Sequence, residues 1–240
     1  MGPALARRCA FLRHQGEIKR QRDTPLYPFA WTYRDYVIKS FNDDKPFDQF
    51  IVEQLAADKL PPIKDNSRLA ALGFLTLGER FQNNENDVIN DRIDVVTKGF
   101  LGLTVSCARC HDHMFDPIPT EDYYSLHGVF ASSYEPRVRP IIGADPTKNP
   151  SYADYYEKRM ALERELEDLP GPMRKADPKE KKEAARKRIE TLNRIDALDL
   201  THPGAPPRAN VLVDSPRPKD SPVFIRGEAE NKGSVVPQTT

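Results

Sequence analysis

The chain has only three cysteines, Cys9, Cys107 and Cys110, too few to staple 240 residues into a disulfide framework. It lacks any run of about 18 apolar residues, so no helix is expected to span a bilayer. The amino end, "MGPALARRCAFLRHQG", is basic without a continuous apolar stretch, and does not read as a secretory signal. An excess of charge of either sign is missing too. The 36 Lys and Arg balance the 36 Asp and Glu, which argues against nucleic acid or an anionic bilayer as a partner of the whole surface. There is no G-x-S-x-G, no H-E-x-x-H and no phosphate-cradling glycine loop, so hydrolase and transferase chemistry have no visible machinery, and the chain leans away from being an enzyme.

Prolines are plentiful and gather after residue 135, which reads as linker and elaboration rather than compact core. The organisation expected is an irregular segment at 1–26, a helical domain at 27–134, a linker at 135–150, a charged helical hairpin at 151–199, and a Pro-rich segment at 200–240. The fold class is mainly α. Two short apolar runs of the tail, "NVLV" and "PVFIRG", are expected as isolated strands, and the terminal "SVVPQTT" shows no strand partner.

Within 27–134 the periodicity predicts five helices. In "FAWTYRDYVIKSF" a stripe of Trp31, Tyr33, Val37, Ile38 and Phe41 is expected to be buried. Pro46 suits the first turn of the next helix, whose stripe would be Phe47, Phe50, Ile51 and Leu55 before "LPP" ends it. "SRLAALGFLTLG" predicts a third helix. From Asp87 a fourth repeats Ile89, Ile93, Val96, Phe100 and Leu103 towards Cys107, and Thr120 is placed to cap a fifth that buries Tyr124, Leu126 and Phe130. In the hairpin, Tyr155, Leu162, Leu166 and Leu169 form one face and Ile189, Leu192 and Ile195 another, with mixed charges on the solvated side.

The chemistry concentrates in "TVSCARCHDHMFDPIP". In "CARCH" two thiols three residues apart precede a histidine, the spacing by which a c-type haem is attached. Cys107 and Cys110 would form thioethers and His111 would supply the proximal imidazole. The same atoms suit a second reading, zinc held by Cys107, Cys110 and His111, with His113, His127 or Asp116 folding back to complete the set. A third is a helix end with two buried free thiols and surface histidines. If haem is six-coordinate, His113 and Met114 lie too near His111 to reach the far side, which leaves His127 as the candidate. Asp112 and Asp116 either orient the histidines or, preferably, cap the turn before Pro117. Arg92 is a conceivable propionate partner, with a surface salt bridge as the plainer role.

The blocks "WTYRDYVIKSFNDDKPFDQFIVEQLAADKLP", "LAALGFLTLG" and "DRIDVVTKGFLGLTVSCARCHDHMFDPIPTEDYYSLHGVFASS", in this order, resemble the planctomycete cytochrome-like family called domain of unknown function 1549. The resemblance implies Cys, Cys and His at the positions of Cys107, Cys110 and His111, with a lysine more usual where Met114 stands. It also implies export to the cell envelope or periplasm in the full-length protein, often beside a separate cytochrome c domain. "PPRANVLVDSPRPKDSPVFIRGEAENKGSVVP" resembles the junction into a second uncharacterised domain, of which only the first residues are present. The amino end departs from the family, whose usual block resembles "WLDVARFSDTKGY". Codons exist that encode residues 5–16 in one frame and "WLDVARFSDTKG" one nucleotide later, so this segment reads as an out-of-frame translation, with no role for Cys9 or His14.

The expected function is covalent binding of haem c and electron transfer in the cell envelope, with an unidentified redox protein or the second domain as partner. The alternatives are a zinc-stabilised binding module and a non-catalytic scaffold in a polysaccharide-related envelope protein.

Overall fold

The structure, a computed structural model, describes residues 27–78, 81, 84–169 and 177–238. The expectations for residues 1–26, including Cys9 and the out-of-frame reading of 5–16, lie outside them. The described chain is mainly α, with strands only as two small antiparallel pairs.

Helix α1 (Ala30–Asn42) buries Ala30, Tyr33, Val37 and Ser40. That stripe is rotated from the expected one: Trp31, Ile38 and Phe41 are exposed. The phase is set by Tyr33, which lies so close to Gly73 that a Cβ there would stand 2.5 Å from the Tyr33 Cβ. Only a glycine permits this crossing. Helix α2 (Phe47–Ala56) buries Phe50 but also Glu53 and Gln54, while Phe47 and Leu55 face solvent. Partners on α1 make the polar burial tolerable, the Tyr33 hydroxyl donating to Gln54 Oε1 at 2.8 Å and the Tyr36 hydroxyl to Glu53 Oε2 at 2.9 Å. The exposed Phe41 and the buried Phe50 still meet, ring centroids 5.8 Å apart.

The third expected helix is split into a 3₁₀ segment, Ser67–Leu72, and a single turn, α3 (Gly73–Thr76). Helix α4 (Glu85–Val96) buries Ile89 and Ile93 and widens into a π-turn, Thr97–Leu101. A 3₁₀ turn, Val105–Arg109, then carries the Cys-His motif into α5 (Thr120–Ala131), which buries Tyr123, Tyr124, His127 and Phe130. Thr120 does not cap α5 with its own side chain; Pro119 holds the capping position and the Asp112 carboxylate accepts from the Thr120 N–H at 2.9 Å.

Strand β1 (Ser133–Tyr134) follows, and then the hairpin of α6 (Tyr152–Asp168) and α7 (Pro178–Thr201). The hairpin is charged as expected, yet much of its interior is polar: the Tyr155 hydroxyl donates to Asp199 Oδ1 at 2.6 Å, and Arg159 reaches Glu163 at 2.7 Å. Ile189, expected on the inner face, is exposed, whereas Ile195 and Thr191 are buried.

The prolines after residue 200 do not mark a loose tail. Strand β2 (Val213–Asp214) returns to pair with β1, and β3 (Ser221–Phe224) pairs with β4 (Lys232–Val236), so the terminal run has a partner, Ser221 opposite Val236. Leu212, Phe224 and Val236 join the same apolar cluster as Tyr33, Phe74, Ile93 and Tyr124. Helix and tail therefore share one core, and β3 lies directly against α5.

Candidate functional site: the Cys-His turn

The turn hangs between α4 and α5. Val105 and Ala108, on the inner side of its 3₁₀ segment, are buried, which throws Cys107 and Cys110 outward. Both thiols are exposed and neither is in a disulfide. The segment is tied down on three sides. Arg109 donates to Asp87 Oδ1 at the start of α4 at 3.1 Å. The Tyr124 hydroxyl donates to the Arg109 carbonyl at 2.8 Å and lies 3.3 Å from the Phe224 carbonyl of β3. Gly227, with φ +77°, passes so close to Cys110 that a Cβ would stand 2.5 Å from its Sγ. A side chain there would strike the sulfur and strain the backbone, so the tail closes over one edge of the turn only because residue 227 is glycine.

His111 is exposed, and its Nδ1 lies 2.6 Å from the Asp112 carbonyl. A carbonyl only accepts, so this nitrogen carries the hydrogen, and in the neutral tautomer the lone pair is on Nε2. The imidazole is thus oriented through one nitrogen with the other available for a ligand bond. The Asp112 carboxylate is held below the usual carboxylate range by the Thr120 N–H and hydroxyl. It caps the start of α5, beyond the turn before Pro117 where the sequence had placed its role.

His113 pins the turn. Its Nδ1 accepts from the Asp116 N–H at 2.9 Å, and its Nε2 meets the Thr104 hydroxyl at 3.2 Å, so both ring nitrogens are engaged inside the turn. His127 is not brought to the thiols either. It is buried among Tyr123, Tyr124 and Phe224, with Nδ1 2.8 Å from the Ser221 hydroxyl and Nε2 buried without a partner. Burial, reinforced by Arg109, pushes its pKa down from 6.5 to about 4. Arg92 is neither at the turn nor at the surface: it is buried, donating to the Leu75 carbonyl at 3.2 Å and to Glu135 at 2.6 Å. Among the described residues no three His, Cys, Asp or Glu side chains gather closely enough to hold a metal ion. The turn presents two outward thiols, Cys107 and Cys110, and next to them in the chain the exposed imidazole of His111.

Exposed apolar side chains flank these groups: Met114 is 76% and Phe115 87% exposed. Sequence reasoning singled out Cys107, Cys110 and His111, but not Gly227 and Tyr124, which support the turn. No helix of the described residues is long and apolar enough to cross a membrane.

No curated protein and no solved structure matches the chain. Protein-family profiles do. Residues 6–135, more than half of the chain and the whole of the stretch from α1 to the Cys-His turn and α5, match PSCyt2, described as a protein of unknown function, DUF1549. The chain belongs to this family.

Proposed function

We propose that the Cys-His turn carries a covalently attached haem c and that the protein transfers electrons in the cell envelope. The observation that carries the reading is the joint state of three side chains: two outward, unpaired thiols and a histidine whose Nδ1 is bound to a carbonyl, leaving Nε2 for iron. Cys107 and Cys110 would hold the macrocycle through thioethers, and His111 would be the proximal ligand. A bound haem supplies one-electron chemistry at its iron. The protein's part is to fix the ligands: Tyr124 and Arg109 hold the turn, and Asp112 joins it to α5. Val105 and Ala108 fill the space beneath, so the attachment face is the outer one, beside Met114 and Phe115. That exposure suits outer-sphere transfer to a docked redox protein.

The reading is tested by producing the chain together with the cytochrome c maturation system in an oxidising compartment. A pyridine haemochrome spectrum of the denatured protein should show covalent haem, and His111→Ala should alter the native spectrum while the attached haem remains. A chain that carries one zinc ion and no covalent haem contradicts the proposal.

A further inference from the structure

Between α1, α2 and the 3₁₀ segment after α2 lies a cavity of about 450 Å³ that shares no residue with the Cys-His turn. Trp31, the chain's single tryptophan, lines it and is 42% exposed. A second wall is apolar, from Ile63, Ile142 and Pro207. At its base stands Glu53, 1% exposed. This one carboxylate accepts from the Tyr36 hydroxyl at 2.9 Å and the Gln49 amide at 3.0 Å, lies 3.3 Å from Arg68 Nε, and pairs with the Lys45 ammonium.

Two cations thus share a single acid, and neither has another acidic partner among the described residues. The remaining charges of the lining are matched: Lys39 pairs with Asp43 at 2.6 Å, and Asp35 with Arg34, outside the cavity, at 2.9 Å. One positive charge is left over at the base. The Lys45 and Arg68 side chains are each only 21% exposed, so water compensates that charge poorly. Arg68 also donates to the Pro61 carbonyl at 2.9 Å and Lys45 Nζ stands 4.7 Å from the centre of the Tyr36 ring, but neither contact supplies a negative charge. A ligand-sized cleft with convergent polar groups on mostly apolar walls is what small-molecule sites look like.

We propose that this cavity binds a small organic monoanion, a carboxylate on a flat apolar body, with the carboxylate received by Lys45 and Arg68 and the body laid against Trp31. The ligand completes the charge balance at Glu53, and the indole and the aliphatic wall clasp its faces.

The single indole N–H gives one assignable signal in a nitrogen-correlated proton spectrum, and benzoate with its neutral isostere benzamide are suitable probes. Titration of the whole chain with benzoate should move the Trp31 signal saturably, with a dissociation constant of about 1 mM for so small a probe. Benzamide should bind roughly tenfold more weakly, and Arg68→Gln should lower benzoate affinity roughly tenfold while leaving benzamide unchanged. Equal binding of the two probes, or no saturable shift with benzoate, overturns the proposal. Should R68Q fail to fold, the benzoate-to-benzamide ratio in the unaltered chain still decides it.

Discussion

Acid should loosen the joint between α5 and the tail, and the magnitude follows from His127. The ring is 3% exposed, enclosed by Tyr123, Tyr124 and Phe224, and joined to β3 through Ser221. Inside this cage its pKa falls to about 4, against an ordinary value of 6.5, because charging it requires desolvation and brings it towards the Arg109 cation. The unfolded chain therefore binds a proton more readily than the folded one. Stability from the neutral ring is complete above about pH 6.5 and is lost as pH falls from there to about 4, below which both states are protonated and no more is lost. The total is about 3 kcal/mol, at about 1.4 kcal/mol for each tenfold change in proton affinity. The assay is urea unfolding at a series of pH values between 7.5 and 3.5, for the native chain and for His127→Asn, whose amide stands nearest the place of Nδ1 and does not titrate. Carboxylates also protonate towards the acid end of this series, so the difference between the two profiles isolates the ring. A difference that stays flat from pH 6.5 to 4 refutes the reasoning.

Gly227→Ala should destabilise the chain by about 2 kcal/mol, combining a left-handed backbone with contact on the Cys110 sulfur. Denaturant unfolding measures this, and the reaction rate of Cys110 with a thiol reagent should change while that of Cys107 holds. Gly73→Ala should cost about 1–3 kcal/mol by forcing Tyr33 away from the α1–α3 crossing, seen as a lower urea midpoint. Asp112→Ala should remove the cap of α5 and lower the urea midpoint near neutral pH. The loss is expected to vanish in acid, where the native carboxylate is protonated.

Helices α4 and α5 were legible because their apolar residues recur at three and four positions against one core, and a single-sided stripe needs no knowledge of the rest of the chain. The stripes of α1 and α2 were read only in part: Tyr33, Val37 and Phe50 are buried, whereas Trp31, Ile38, Phe41, Phe47 and Leu55 are exposed. Trp31 and Phe47 look like core by type, but burial went to Glu53 and Gln54, whose partners lie on a different helix and leave no trace in local periodicity. The tail was underestimated for a related reason. Its strands are short, interrupted by Pro222 and by an irregularity between Pro222 and Phe224, so alternation is broken, and their burial comes from α5, distant in sequence. At the site, Cys107, Cys110 and His111 announce themselves by spacing alone. The groups that orient them do not: Tyr124 acts through its hydroxyl on a carbonyl, and Gly227 acts by having no side chain. His127 was singled out by chemical type, which says nothing of which ring nitrogen faces what; its Nδ1 faces Ser221 inside the core.

The central claim, that the turn holds haem covalently, is tested most directly by the intact mass of denatured chain produced with the cytochrome c maturation system, beside a Cys107→Ala/Cys110→Ala double variant. The account predicts that the native chain gains the mass of one haem and the double variant gains none. A native chain at its bare polypeptide mass under these conditions, with its fold intact, contradicts it.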